Sequence, residues 1–529
     1  MRHIRIPFLV VVLSLTLTGM AFAINLPELT TWSGSLVNYT GTGVVAPAQV
    51  PGLTITGVGG GGPGLGDTLL APLYDVRNLT DPNLPGTAGT TARTQYTMFS
   101  IVNTDPVYGV IARLRFREWK RSRECLDIDI PLTSNDVWVG EVSRVSTGGA
   151  SLYSPDRWVN ALPSPDSILS PFPTALFPAS GIAFRPYALE APQDITRCEY
   201  GYFEIIGEER VGPMSVTYTM PRLALTERDV KNVLMGNVVL LRPDVKISHQ
   251  YNMTAIANFA VNIAGIWDSP TTAYPNLLNQ VQGELFNPGA GGFNNLEALL
   301  SKRNVYYQYA AQGVYGGYDA ADTSMTPMST SVVVTFPTKH FHYSKSSPFP
   351  ILGLTYPYGP PFTGAYETVG DSATNYGEVI ASYIWDRSEH PLTPPTEAIS
   401  PSLQSGIPRL PYEVNVIGLY PTDPATASPV FRNNVTFATA STASAQIFYS
   451  GWGKIDLSPP LYPINETRAA PQGESGIVFN FYNNFFTAYR GLPAIGIVMT
   501  EFYNGSSSGY YGNTVPWQYS VDWSNAAVN

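Results

Sequence analysis

From Val110 to Leu132 the chain alternates apolar and charged positions with a period of two. Ala112, Leu114 and Phe116 share one side and Arg113, Arg115 and Arg117 the other; on the return, Leu126, Ile128 and Ile130 alternate with Cys125, Asp127 and Asp129. That period belongs to a strand with two unlike faces, so the segment predicts a β-hairpin. With Arg117 opposite Cys125, Arg115 meets Asp127 and Arg113 meets Asp129, a cross-strand charge ladder. The ladder is expected to be solvated. The six basic residues from Arg113 to Arg123 also fit an anion site, and Arg121 and Arg123, at the turn, have no counterpart in the ladder.

Shorter apolar runs predict strands at Leu53–Thr56, Tyr96–Val102, from Cys198 through "CEYGYFEIIGEERV", at Val233–Leu241 with Val245–Phe259, and at Val332–Tyr343. More follow at Glu378–Trp385, Glu413–Tyr420, Ala445–Tyr449, Gly476–Phe481, Ile495–Phe502 and Gln518–Trp523. One segment, Asn295–Tyr309, has a helical period: Leu296, Leu299, Leu300 and Arg303 recur on one face, and Asn294 or Asn295 can cap it. Irregular stretches at 151–186, 264–294 and 346–372 are long enough to be candidate binding surfaces.

The expected fold class is mainly β: two or three antiparallel β-sandwich modules with long Pro/Gly/Ser-rich loops and few short helices. The expected division is a signal peptide at 1–23, an extended N-terminal arm with a glycine hinge at 24–66, and a first β module at 67–228. A second β module with one short helix follows at 229–345, and a C-terminal β module at 346–529.

The N-terminus sets the expected compartment. Arg2 and Arg5 precede an apolar run, Ile6–Leu17, and Ala21-Phe22-Ala23 forms a cleavage site. This is the pattern of a secretory signal peptide, with an apolar core too short to span a membrane. Without Arg2 and Arg5 the 30 basic residues become 28 against 40 acidic ones, a net charge of −12, which disfavours nucleic acid and anionic membranes as partners. No transmembrane segment is expected after signal cleavage. The expected location is secreted, extracellular or cell-surface, with the periplasm as an option. In such a compartment the two cysteines, Cys125 and Cys198, are expected to pair.

Candidate chemistry is sparse. "GLTITGVGGGGPGLGDT", Gly52–Thr68, nearly spells a dinucleotide fingerprint and then a phosphate loop. Pro63 blocks the helix such a site needs, and Asp67 stands where a phosphate loop has Lys. Gly57, Gly59, Gly60, Gly61 and Gly62 therefore read as a hinge. His340 and His342, two apart on a predicted strand, would share a face as metal ligands do, with His249, His390 or a carboxylate as a third ligand. Asp386 and Glu389 are weak candidates for acid–base or glycosidase chemistry. "GSSSG" (505–509) matches G-x-S-x-G in letters but lacks the strand–turn–helix setting. No cofactor is expected. Six N-x-S/T sequons (Asn38, Asn78, Asn252, Asn434, Asn465, Asn504) permit glycosylation. The abundant tyrosine suits sugar stacking, protein contact or strand packing.

Several phrases resemble a group of secreted or cell-surface proteins of Gram-negative bacteria: "FSIVNTD" (99–105), "LDIDIPLTSNDVWVG" (126–140), "GYFEII" (201–206), "VVVTFPTKHF" (332–341) and "YEVNVI" (412–417). The resemblance implies secretion and a shared β scaffold, and brings no catalytic residues. The expected function is that of a non-enzymatic extracellular structural or adhesive protein, self-associating or binding other surface components. Its means would be β-augmentation, the N-terminal arm pairing with an exposed sheet edge. Alternatives are a carbohydrate-binding or carbohydrate-active protein, and a metal-binding protein at His340 and His342.

Overall fold

The computed structural model describes residues 54–56, 64–77, 95–156, 181–185, 194–213, 220–221, 223–224, 227–243, 247–259, 296–310, 312–313, 326–342, 362, 377–386, 409–419, 435–436, 450–457, 467–469, 478–480, 491–504 and 509–520. The fold is mainly β, built of antiparallel sheets, with no helix of seven or more residues among the described residues.

In chain order the first strands are β1 (Thr54–Thr56), β2 (Thr68–Asp75), β3 (Tyr96–Asn103), β4 (Gly109–Glu118), β5 (Glu124–Leu132), β6 (Val137–Arg144), β7 (Ala150–Tyr153), β8 (Ile182–Ala183), β9 (Tyr200–Val211), β10 (Leu234–Arg242), β11 (Ile247–Asn252) and β12 (Thr254–Ala257). They form two six-stranded sheets, β1-β12-β2-β9-β4-β5 and β11-β10-β3-β6-β7-β8. The apolar faces meet in one core. Phe99 and Ile101 of β3 and Val238 and Leu240 of β10 come from one sheet; Leu114 and Phe116 of β4 and Phe203 and Ile205 of β9 come from the other. Phe99 touches Phe203 and Phe116 with ring centroids 5.0 and 5.9 Å apart, inside the range of favourable aromatic contact.

The remaining strands are β13 (Ser301–Lys302), β14 (Asn304–Ala310), β15 (Gln312–Gly313), β16 (Thr326–Thr335), β17 (Glu378–Val379), β18 (Ala381–Asp386), β19 (Arg409–Leu410), β20 (Val414–Leu419), β21 (Val435–Thr436), β22 (Ser450–Asp456), β23 (Thr467–Ala469), β24 (Val478–Asn480), β25 (Leu492–Pro493), β26 (Ile495–Asn504), β27 (Gly509–Pro516) and β28 (Gln518–Ser520). Their main sheets are β21-β20-β16-β26-β27, to which β15 adds through β16, and β18-β22-β14-β28. Alternation sends the two faces of the first of these to different cores. Val333, Val416, Ile497 and Met499 join the core of the N-terminal sheets. Val332, Val334, Ile417 and Val498 pack with Val305, Tyr307, Ile384 and Ile455 of the other sheet.

Several expectations need correction. The boundary drawn at 228/229 falls inside both N-terminal sheets, because β10 pairs with β3 and β12 with β2. The boundary at 345/346 separates β16 from β20 and β26, its partners. The helix stops at Leu300, and β14 begins at Asn304. Val305, Tyr307 and Tyr309 are buried at alternate positions there, so β-branched and aromatic packing overrides a short helical period. The strand expected over 332–343 ends at Thr335; Pro337 cannot donate to a ladder, and Lys339–His342 form a 3-10 turn. Cys198 sits in the 3-10 turn Ile195–Glu199, just before β9. Residues 445–449 lie outside the described residues.

Cys125 and Cys198 form a disulfide across a separation of 73 residues. Closing so long a loop constrains the unfolded chain. Replacing both cysteines by alanine is expected to cost about 2–5 kcal/mol in urea unfolding. A second prediction concerns Lys302, which is buried with its ammonium 3.3 Å from the Leu299 carbonyl and 4.3 Å from the Tyr519 ring centroid. Burial pulls its pKa down from 10.5 to about 7. Between those two values the unfolded chain binds the proton more tightly, so this site's contribution to stability rises with pH across that window. Lys302→Met is expected to stabilise the protein by about 1–4 kcal/mol at pH 6, with the gain shrinking toward pH 10 in the same unfolding assay.

Candidate functional site

The end of the glycine-rich stretch is a stitch between sheets. Gly66 exchanges backbone hydrogen bonds with Leu234 of β10, at 2.9 and 2.8 Å. Its neighbour Asp67 donates its N–H to Ile256 of β12 at 3.0 Å and accepts from Gly207 of β9 at 2.8 Å. The buried Asp67 carboxylate accepts the Phe259 N–H at 2.9 Å. A Cβ on residue 66 would lie 2.4 Å from the Ile256 carbonyl oxygen, so glycine is required where these backbones cross. The acid that argued against a phosphate loop thus has a structural role. Gly57, Gly59, Gly60, Gly61 and Gly62 lie outside the described residues.

Beyond this stitch, β1 turns back onto its own chain. Thr54 pairs with Ala257, Ile55 with Ile256 and Thr56 with Ala255. Among the described residues, Thr54–Thr56 are the ones that occupy this edge of the sheet. The opposite edge, β5, carries Glu124, Asp127, Asp129 and Pro131. Proline on an edge strand is one of the features that prevent further pairing. Pro131 therefore guards one edge, and the other is covered by a short uncharged strand.

The charge ladder keeps much of its expected register but not its expected surroundings. Arg113 faces Asp129 and Arg115 faces Asp127; a bulge after Phe116 sets Arg117 opposite Glu124, not Cys125. The three arginines are buried, at 3, 4 and 6% exposure, and so are Asp129 and Glu204. The solvated reading is thus overturned. The sequence showed only the partners on β5, and Glu204 of β9 supplies the rest. Arg115 Nη1 and Arg117 Nε donate to its Oε1 at 3.1 and 3.0 Å, and Arg113 Nη1 donates to Asp129 at 2.7 Å. Three guanidinium groups face five carboxyls: Glu124, Asp127, Asp129, Glu204 and Glu208. Carboxyls therefore outnumber guanidinium groups around this ladder. Burial pushes Asp129 up to about 6 against the pull of Arg113, and burial reinforced by Asp129 raises Glu208 strongly. A ladder already filled by carboxyls has little use for an anion.

The hairpin turn is accounted for as well. The Glu118 carboxylate accepts the Lys120 and Arg121 N–H groups at 2.7 and 2.8 Å and the Arg197 guanidinium at 2.6 Å. This shapes a turn that docks on the C-terminal half. The Val414 N–H donates to the Trp119 carbonyl at 3.0 Å, the Trp119 ring meets Tyr412 edge-on at 4.4 Å, and the Tyr202 hydroxyl donates to the Pro337 carbonyl at 3.1 Å.

His249 makes a second tie. Its Nδ1 lies 2.8 Å from Thr514 Oγ1 on β27, and its Nε2 lies 2.9 Å from Glu501 Oε1 on β26. Hydroxyl, imidazole and carboxylate in series is an order used in nucleophilic catalysis. Here the imidazole has no exposed surface and packs on Gly512. The trio is a latch between β11 and the β26–β27 hairpin, and His249 is engaged there instead of serving as a third metal ligand.

Of the other candidates, His340 lies in the 3-10 turn, where a two-residue spacing no longer puts side chains on one face. No group of three His, Cys, Asp or Glu suited to a metal ion occurs among the described residues. Asp386 ends β18, and Glu389 and His390 lie outside the described residues. Just before Asp386 is an aromatic row. Trp385 stacks on Trp452 at 4.0 Å and lies 6.0 Å from Tyr383, with Tyr383 and Trp452 exposed. No described helix is long and apolar enough to cross a membrane. Comparison with protein families, characterised proteins and solved structures gives no match.

Removing Arg115 leaves Glu204 and Asp127 short of a buried counter-charge. Arg115→Met is expected to cost about 3–5 kcal/mol at pH 7 in urea unfolding.

Proposed function

We propose that this chain is a secreted, non-enzymatic structural or adhesive protein of the cell exterior, whose copies join by β-augmentation. The observation that carries the reading is the contrast between the two edges of the N-terminal sheet. β5 carries Pro131 and already gives its Cys125 carbonyl to the Arg185 N–H at 2.8 Å, whereas on the opposite edge Thr54–Thr56 of the same chain add to β12. A strand that adds to β12 in its own chain can add equally to β12 of another copy, since the hydrogen bonds are the same. Five of the six residues at 57–62 are glycine, a composition found in linkers. The signal-peptide pattern and the low fraction of charged residues, 13%, support the same reading.

A second reading, carbohydrate binding, is favoured by the aromatic row. Trp452 is 40% and Tyr383 37% exposed on adjacent strands, and exposed rings of this kind can stack on sugar faces. A glycan array separates the readings: strong, selective binding lost in Trp452→Ala would put carbohydrate recognition first.

Deleting residues 24–62 tests the first reading. Light scattering on the secreted protein is expected to show assemblies for the full chain and monomers for the truncated one. Assemblies of equal size in both would remove the arm from the mechanism.

A further inference from the structure

Three separate stretches bring Lys339, Glu378 and Glu413 into one dry region. Lys339 lies in the turn after β16, with its N–H directed to the Phe336 carbonyl at 3.3 Å. Glu378 opens β17. Glu413 precedes β20, and its carbonyl accepts the Phe336 N–H at 2.7 Å. The three residues are 0, 1 and 0% exposed. Lys339 Nζ stands 3.7 Å from Glu378 Oε1 and 3.4 Å from the Pro411 carbonyl oxygen, with the Phe336 ring centroid at 5.7 Å. Phe362 meets Phe336 edge-on at 5.5 Å, and Leu410 and Val414 are fully buried beside Pro411 and Glu413 in the chain.

An ammonium and a carboxylate held in such surroundings lose their hydration, and their mutual attraction need not make up for it. Condensation removes both charges at once and releases a water molecule. Fixing the amine beside the carboxyl also turns an encounter of two molecules into a step within one. We propose that Lys339 and Glu378 become joined by an intramolecular amide bond.

The Lys339 ammonium gives one proton to the Glu378 carboxylate 3.7 Å away. The freed lone pair on Nζ attacks Glu378 Cδ, and an N–C bond forms. A second proton from Nζ passes to the protonated Glu378 oxygen, the C–O bond to that oxygen breaks, and water leaves. Ammonium plus carboxylate gives amide plus water, and no oxidant or cofactor takes part.

The bond would tie the end of β16 to the β17–β19 pair independently of any assembly, so a monomer would carry it too. The test is a peptide map of the secreted full chain after denaturation, reduction and alkylation. The expected result is one branched species joining the peptides that contain Lys339 and Glu378, lighter than their sum by one water. It should be absent in Lys339→Arg. Recovery of the two wild-type peptides as separate, unmodified species would overturn the proposal.

Discussion

β4 is buried along its entire length, yet every second residue from Arg113 to Arg117 is charged. That single constraint organises the N-terminal half. The apolar face must meet the opposite sheet. The arginine face must be matched by carboxylates from both neighbours, because a buried guanidinium without a partner is far more costly than an exposed one. A one-residue slip would turn arginines into the aromatic core and phenylalanine into the ladder. The register of β5 and β9 against β4 is therefore held electrostatically as well as by packing. Burial raises the pKa of two of the carboxyls beside the ladder, Asp129 and Glu208.

The same strand also decides how the two halves meet. β4 ends at Glu118, whose carboxylate shapes the turn that places Trp119 and Ser122 against the C-terminal half. Tyr202, beside Arg117 across the β4–β9 ladder, reaches both Ser122 and Pro337 with its hydroxyl. Thr335 reaches back to the Pro72 carbonyl at 2.7 Å, and His249 ties β11 to β26 and β27. These ties are polar and directional. They fix orientation, while Val333, Val416, Ile497 and Met499 supply apolar area at the same junction.

What was legible in the sequence follows from range. The β4–β5 hairpin could be paired residue by residue, since both strands lie within one short segment and their charges match. Its bulge after Phe116 could not, because the alternation of apolar and charged residues does not mark where one strand gains a residue on the other. Burial of the ladder was hidden because the charge counts on β4 and β5 alone look like a surface, and Glu204 lies about 90 residues away. β14 read as helix because Leu296, Leu299, Leu300 and Arg303 continue a helical period into it, whereas its partners lie beyond residue 450. Sites assembled from distant residues left no spacing to recognise. Lys339, Glu378 and Glu413 share no motif, and His249 meets Glu501 only because two sheets abut. The disulfide was legible because two cysteines allow a single pairing.

Low charge takes on a different meaning once burial is known. With 13% charged residues, a chain of this kind would be expected to place nearly all of them at the surface. Here Arg113, Arg115, Arg117, Arg242, Lys302 and Lys339 are buried, as are Asp67, Asp75, Glu118, Glu204 and Glu413. Among the described residues, much of the charge is therefore held inside the fold. Specificity must then come from elsewhere, from edges that accept a strand and edges that refuse one. The proline of β5 refuses. That leaves the short β1–β12 pairing as the place in this sheet where a second chain would meet the least resistance.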